Sequence, residues 1–393
     1  MLWFAVRFLV VTAGFAAVHG YLWLRLFRDT AERGSRWRSG GGIALGVLGA
    51  FGLAAWFAVP SQLPLAGQQI IGWPGWIWFG ACIYLVGLLV VAEPVRWWLL
   101  RRERGAPEPE ADPRGPTRRQ IVSRGIGAGV GALAAAATGY GLAESYRTPR
   151  IKEVSVPIAG LGRAHDGYRI TVVGDTHFSA LRGSGYCRRV VDRINRTQPD
   201  LIAFVGDLAS GEVDHLRAAT EPLSGLRARE GAYFVAGNAE HYVGADQWYE
   251  RIEELGMTGL PNTRVELPAF DLAGVNDLIA AQRGFEDETG PDLDAALGDR
   301  DPSRPVVLLA HQPDVIVPAQ DFGIDLQLSG HTHGGQMWPL HIASGLRSVQ
   351  LDGLERWGEA WLYVTNGAGT NGPPLRLGAD AEIAVVTLRA GRA

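Results

Sequence analysis

The sequence predicts an α/β fold in two parts: a domain of two facing mixed sheets with helices outside, preceded by an α-helical transmembrane region. Three observations predict it. Nine of the thirteen Trp fall in the first 100 residues, among long apolar runs with few acids. From about residue 150 onward, short apolar runs alternate with helix-length polar segments, which is βαβα patterning. Several of those runs end directly in Asp, Asn or His, and strand ends that converge on one sheet edge are where α/β proteins build sites.

Within residues 1–100, three stretches at 4–24, 41–60 and about 76–99 are long and apolar enough to span. Arg7 can snorkel to the interface, and Trp3, Trp23, Trp73, Trp76, Trp97 and Trp98 sit near span ends, where aromatic belts form. A basic, Pro-rich linker is expected at 101–124, disordered at 105–116. A Gly/Ala-rich stretch at 125–143 reads as a fourth span or an export signal. Thr117-Arg118-Arg119-Gln120-Ile121-Val122 ahead of it resembles a twin-arginine signal, with positive-inside flanking as the alternative. Arg25, Arg28, Arg33, Arg36 and Arg38 follow span one, and Arg96, Arg101, Arg102, Arg104, Arg114, Arg118, Arg119 and Arg124 follow span three; the loop at 61–75 has no charge. The arginine-rich loops go inside, which makes this a multi-pass cell-membrane protein whose domain is extracytoplasmic where span four carries the chain out again, and faces the cytoplasm if span four does not insert. His19 lies inside span one with no evident partner, and paired charges are not expected among the spans.

The domain at 150–390 reads as strands at 169–173, 201–205, 232–236, 264–267, 270–275, 306–310, 324–328, 361–365 and 382–388. Helices are expected at 185–197, 212–224 and 245–255, with a further helix in the acidic segment 287–304. The two cysteines, Cys82 and Cys187, fall in different halves and exclude a disulfide framework or a Cys-rich zinc site. A net charge of −4 gives no reason to expect a nucleic-acid partner.

Four fragments and a lone histidine carry the chemistry. Gly174-Asp175-Thr176-His177, Gly206-Asp207 and Gly237-Asn238 each follow a predicted strand, as do His311 and Gly330-His331-Thr332-His333-Gly334-Gly335-Gln336. Any one of these is common in turns. Their joint order supplies several N/O ligands and carboxylates, as two metals about 3.5–4 Å apart require.

This set resembles the calcineurin-like metallophosphoesterase superfamily, and is similar to its membrane-anchored bacterial branch with the C-terminal motif GHTHGGQ. Ala310-His311-Gln312-Pro313-Asp314, Asp271-Leu272-Ala273-Gly274-Val275 and Gly372-Pro373-Pro374-Leu375-Arg376 carry the same likeness, which covers about 150–390. The resemblance implies a two-sheet β-sandwich flanked by helices. It implies that Asp175, His177 and His333 bind one divalent metal, that Asn238, His311 and His331 bind a second, and that Asp207 bridges them. Thiolate-free ligation suits Mn, Fe, Zn or Co. The implied activity is a metal-dependent phosphodiesterase or pyrophosphatase acting by attack of an activated water on a phosphate ester, with lipid-linked or nucleotide-linked substrates among the options. Tyr242, Gln336 and Asn366 are adjacent to the motifs and expected to line the pocket.

Two positions depart from the family pattern. Gly237-Asn238-Ala239-Glu240-His241 has Ala239 where the family has a His that assists the leaving group, which leaves His241 as a substitute proton donor. Ser210 stands where the family often has Asp. Ala239 also supports an alternative, a metal-binding sensor with weak or no turnover.

Overall fold

The computed structural model describes residues 2–58, 63–101, 115–282 and 288–391, without the side chains of 2–5 and 7. The snorkelling of Arg7, the placement of Trp3 and most of the expected linker at 105–116 lie outside the described residues. The chain divides into two compact units, Met1–Leu142 with Gly372–Pro374, and Ala143–Asn371 with Leu375–Ala393.

The first unit contains α1 (Leu2–Trp23), continued by a π-helical turn at Leu24–Arg28, then α2 (Arg36–Ala58), α3 (Leu65–Arg101) and α4 (Arg118–Ser145), whose last three residues fall in the second unit. Among the described residues, four helices are long and apolar enough to cross a membrane: Phe8–Arg28, Arg36–Phe57, Leu65–Arg101 and Arg118–Ser145. Two boundaries differ from expectation. The uncharged stretch read as a loop at 61–75 is helical from Leu65, and Pro74 lies inside α3, as apolar spanning helices tolerate. The linker expected to run to 124 ends earlier, because α4 already includes Arg118–Arg124, where Arg119 pairs with Asp29 and Arg124 Nε donates to the Thr30 carbonyl.

Charge pairing is richer than the sequence reading allowed. Asp29, only 4% exposed, accepts from Arg25, Arg28, Arg96 and Arg119, and Glu93 pairs with Arg25 and Arg96. A buried carboxylate needs such partners, and these tie α1, α3 and α4 together at one end. His19 also has a partner after all. Its Nδ1 donates to the Phe15 carbonyl at 2.7 Å, and its Nε2 accepts from Trp78 Nε1 at 2.9 Å. That is a satisfied structural histidine.

The second unit is a sandwich of two six-stranded sheets. In chain order the strands are β1 (Arg150–Ile158), β2 (Tyr168–Val173), β3 (Leu201–Val205), β4 (Ala232–Val235), β5 (Thr258–Gly259), β6 (Thr263–Glu266), β7 (Asp271–Gly274), β8 (Val306–Leu309), β9 (Leu326–Ser329), β10 (Gly353–Trp357), β11 (Ala360–Val364) and β12 (Glu382–Ala390). The first sheet runs β1-β12-β2-β3-β4-β5 and the second β10-β11-β9-β8-β7-β6. Strands β2 to β5 are mutually parallel, as are β7, β8, β9 and β11. Helices α5 (Ser184–Asn195), α6 (Val213–Thr220), α7 (Asn238–His241) and α8 (Ala245–Glu254) lie on the connections of the first sheet. The inward faces share one apolar core, including Ile170, Val172, Leu201 and Ala203 from the first sheet and Val307, Leu309, Leu326 and Leu328 from the second. The outer face of the second sheet packs Leu308, Ala310, Ile316 and Leu362 in a separate cluster. The helix expected within 287–304 is one short turn, Leu293–Leu297, and 283–287 lie outside the described residues.

Candidate metal centre

Parallel strands point their C-terminal ends the same way, and in each sheet those ends carry the polar residues. Asp175 and His177 follow β2, Asp207 follows β3 and Asn238 follows β4; His311 follows β8, and His331 and His333 follow β9. One sheet therefore supplies four of the seven and the other supplies three.

The structure brings all seven together. His177 Nε2 lies 3.1 Å from His333 Nε2 and 3.4 Å from Asp207 Oδ2, and His333 Nε2 is 3.4 Å from Asp175 Oδ1. Asp175, His177, Asp207 and His333 form a buried group with ligand atoms within 4.8 Å of one another, which could hold a metal ion. Beside it, His331 Nδ1 is 2.9 Å from Asn238 Oδ1 and 3.3 Å from His311 Nε2, and His311 Nε2 is 3.4 Å from Asp207 Oδ1. Asp207 touches both groups.

Atoms about 2.1 Å from a common ion stand roughly 3.0–3.4 Å apart in octahedral or tetrahedral shells, so these spacings fit metal ligation. The electrostatics fit too. Burial pushes His177 down to about 4, against the pull of Asp207. Burial, then the neighbouring His177, pushes His333 well below its usual range. Two imidazoles that burial favours as neutral then face each other Nε2 to Nε2 at 3.1 Å, an arrangement that a shared cation would stabilise. Burial would raise Asp207, but His311 beside it outweighs burial and holds it well below the carboxylate range. Asp175, buried and opposed only in part by His311, is pushed up to about 7.

Backbone strain marks the same residues. Among the described residues, Asp175, His177, Asp207, His331 and His333 are five of the eight non-glycine residues with positive φ. Such conformations persist where surrounding structure over-determines them. The glycines of the motifs serve close approach: a Cβ on Gly206 would lie 2.5 Å from His311 Nδ1, and one on Gly330 would lie 2.4 Å from Asp175 Oδ2.

A family model described as calcineurin-like phosphoesterase matches residues 168–335. An uncharacterized metallophosphoesterase of Bacillus subtilis, YkuE, is 30% identical over 288 residues, which covers 70% of this chain and 98% of that protein. The chain belongs to the calcineurin-like metallophosphoesterase family. A zebrafish transmembrane protein with a metallophosphoesterase domain is 34% identical over 261 residues, covering 64% of this chain and 60% of that one. An uncharacterized metallophosphoesterase of Helicobacter pylori is 35% identical over 250 residues, covering 63% and 66%. The chain thus spans under two thirds of the length of these last two relatives. Two relatives, of zebrafish and cattle, are named as transmembrane proteins with a metallophosphoesterase domain, and the helices of the first unit here are long and apolar enough to cross a membrane.

Several residues support the site from outside the expected ligand set, and the roles of Glu240 and Arg376 were not read from the sequence. The buried Glu240 accepts from the amides of Asp207, Ala209 and Gly237 at 2.8–3.0 Å, which locks the turns after β3 and β4 together. Its bond to the amide of the N-cap Gly237 is the half of a capping box that the third helical residue supplies, since glycine has no side-chain oxygen to complete the other half. Arg376, fully buried, donates to the carbonyls of His333, Asn366, Gly367, Gly369 and Ala379 and gathers the His333 turn and the 366–369 loop around one guanidinium. Ser210 Oγ, at the position noted above as a departure from the family pattern, sits 2.7 Å from His177 Nδ1 and fixes the orientation of the ring. A Ser210→Ala variant is expected to bind metal about 10–100-fold more weakly, the usual cost of losing a partner that aims a ligand; metal titration of the stripped protein checks this.

The other expected residues are placed as follows. Asn366 Oδ1 crowds Gly334, where a Cβ would come within 2.3 Å. Gln336 exchanges hydrogen bonds with the Asn371 backbone, and Tyr242 is largely exposed. His241 is buried; its Nδ1 pairs with Glu288, and its Nε2 has no hydrogen-bond partner. On α7, His241 stands three residues from Asn238 and two from Ala239, so it shares a helix face with Asn238 and not with position 239.

Proposed function

We propose that this chain is a membrane-anchored, two-metal hydrolase of phosphodiester or pyrophosphate bonds, of the branch bearing the GHTHGGQ motif, with lipid-linked or nucleotide-linked esters as its substrate class. The observation that carries the reading is the 2.9–3.4 Å spacing of imidazole, amide and carboxylate atoms in two groups that meet at Asp207. Asp175, His177 and His333 would hold one ion, Asn238, His311 and His331 the other, and Asp207 would bridge. Two divalent ions there, from among Mn, Fe, Zn and Co, would polarise phosphoryl oxygens and lower the pKa of a water aimed in line at phosphorus.

The chain's own groups do the rest. The Val205 carbonyl takes the His311 Nδ1 proton at 2.8 Å and Ser210 bonds His177 Nδ1, so both rings present Nε2 inward. His241, paired with Glu288, is the group we assign to protonate the leaving oxygen. The arginine-rich ends of the helices support an inside position for residues 100–124 and an extracytoplasmic one for the domain.

The test is metal-dependent turnover by the full chain in detergent or nanodiscs. A nitrophenyl phosphodiester and a pyrophosphate-linked substrate are expected to be cleaved, and a plain alkyl phosphodiester far more slowly. Metal bound stoichiometrically with none of the three cleaved would favour the sensor reading that Ala239 also supports.

A further inference from the structure

Ten residues follow the metal-bearing turn with an unusual surface. Among the described residues from 143 onward, six large apolar side chains are exposed, and four of them lie in 338–346: Trp338 (58%), Leu340 (41%), Ile342 (61%) and Leu346 (84%). Apolar exposure concentrated in so short a segment marks an interaction site, whereas scattered exposed residues need no explanation. Ile342 lies on the short helix His341–Gly345, with Trp338 and Leu340 in the turn just before it and Leu346 directly after it. No acid occurs between Ser329 and Leu351, and the exposed Arg347 closes the segment.

The segment is firmly mounted. Trp338 N donates to the Leu377 carbonyl at 2.7 Å and Leu340 N to the Met337 carbonyl at 2.7 Å. It also abuts the metal turn. Gly335 has φ +75°, and a Cβ there would fall 2.3 Å from His341 Cα. The backbone beneath the apolar side chains therefore touches the turn that begins with His333.

We infer that residues 338–347 form a bilayer-docking surface that buries Trp338, Leu340, Ile342 and Leu346 in the lipid interface beside the metal centre. Two observations select a lipid surface as occupant. Only four residues separate the end of α4, itself apolar enough to cross a membrane, from β1, so the tether keeps the domain within short reach of any bilayer that α4 enters. The chemistry also matches: Trp favours the headgroup boundary, aliphatic side chains the acyl boundary, and an unopposed Arg the lipid phosphates. The functional consequence, which rests on the phosphoesterase reading, is that the site takes phosphate esters whose apolar part remains in the bilayer.

The experiment places a nitrobenzoxadiazole fluorophore on Leu346→Cys in the full chain reconstituted into phosphatidylcholine/phosphatidylglycerol vesicles. Glu359→Cys, whose side chain is fully exposed, is the control. The native Cys82 and Cys187 are buried. The label at 346 is expected to emit blue-shifted and to be quenched by nitroxide lipids, and the label at 359 to do neither. Equal quenching at both positions would overturn the inference. A blue shift without lipid quenching, accompanied by energy transfer between differently labelled copies, would overturn it in favour of a second copy as occupant. This readout needs no turnover, so it stands or falls apart from the phosphoesterase reading. As a second arm, Trp338→Ser/Ile342→Ser/Leu346→Ser is expected to raise KM for a bilayer-embedded phosphate ester several-fold and to leave kcat and KM for a soluble nitrophenyl ester unchanged. Equal loss on both substrates would mean the segment supports the fold and not docking.

Discussion

Asp207→Asn is expected to abolish metal-dependent turnover and to lower metal affinity by more than the 10–100-fold typical of residues that only orient a ligand. The reason lies in its contacts. Asp207 Oδ1 takes the Ala239 amide at 2.7 Å and lies 3.4 Å from His311 Nε2, while Oδ2 lies 3.4 Å from His177 Nε2. A single side chain thus belongs to both ligand groups. Asparagine keeps the volume and can still accept from the Ala239 amide, so loss of the fold is not the expected cause. Metal content of the purified variant, read with its circular dichroism, separates the two. A folded variant that retains two ions and full turnover would sink the bridging role.

Ala239→His is expected to raise turnover of an alkyl phosphodiester by about 10²–10⁴-fold, the usual contribution of a positioned general acid, and to change a nitrophenyl ester far less. A leaving group of low pKa departs without a proton, so only the poor leaving group should benefit. Position 239 is half-buried at the start of α7, and its amide is already anchored to Asp207, so the new ring would be introduced without moving the backbone. His241→Gln is the companion measurement. If it slows the wild-type chain on alkyl esters and Ala239→His adds nothing, His241 with Glu288 already supplies the proton. If Ala239→His adds nothing and His241→Gln is silent, leaving-group protonation does not limit the proposed reaction.

The strands that bear the site were readable because each combines a buried apolar run with an abrupt polar end: Leu201–Val205 before Gly206-Asp207 is fully buried and has no other reading. Strand β1 was not readable. Only Val156 and Ile158 are buried, and Lys152, Glu153 and Pro157 give it the composition of an exposed segment, as edge strands require. β10, half-exposed with Glu355 and Arg356, escaped for the same reason. The candidate ligand residues stood out by type and order. Their supports did not, because their partners are tertiary: Glu288 lies 47 residues from His241, and Arg376 bonds only carbonyls, which every residue has. Asp29, likewise, looked like one acid among arginines until four guanidinium groups converged on it.

Four of the seven polar residues come from the first sheet and three from the second, and they meet at the sandwich's rim. On the proposed reading, this makes the ions fasteners between layers as well as reagents. Ligand affinity for the native state alone adds to stability as RT ln(1 + [L]/Kd), so an ion held roughly a hundredfold above its Kd would contribute about 2.7 kcal/mol to holding the sheets in register. Chelation would then do more than silence the enzyme. It would loosen the rim at which both sheets end, and the melting temperature would follow the metal concentration.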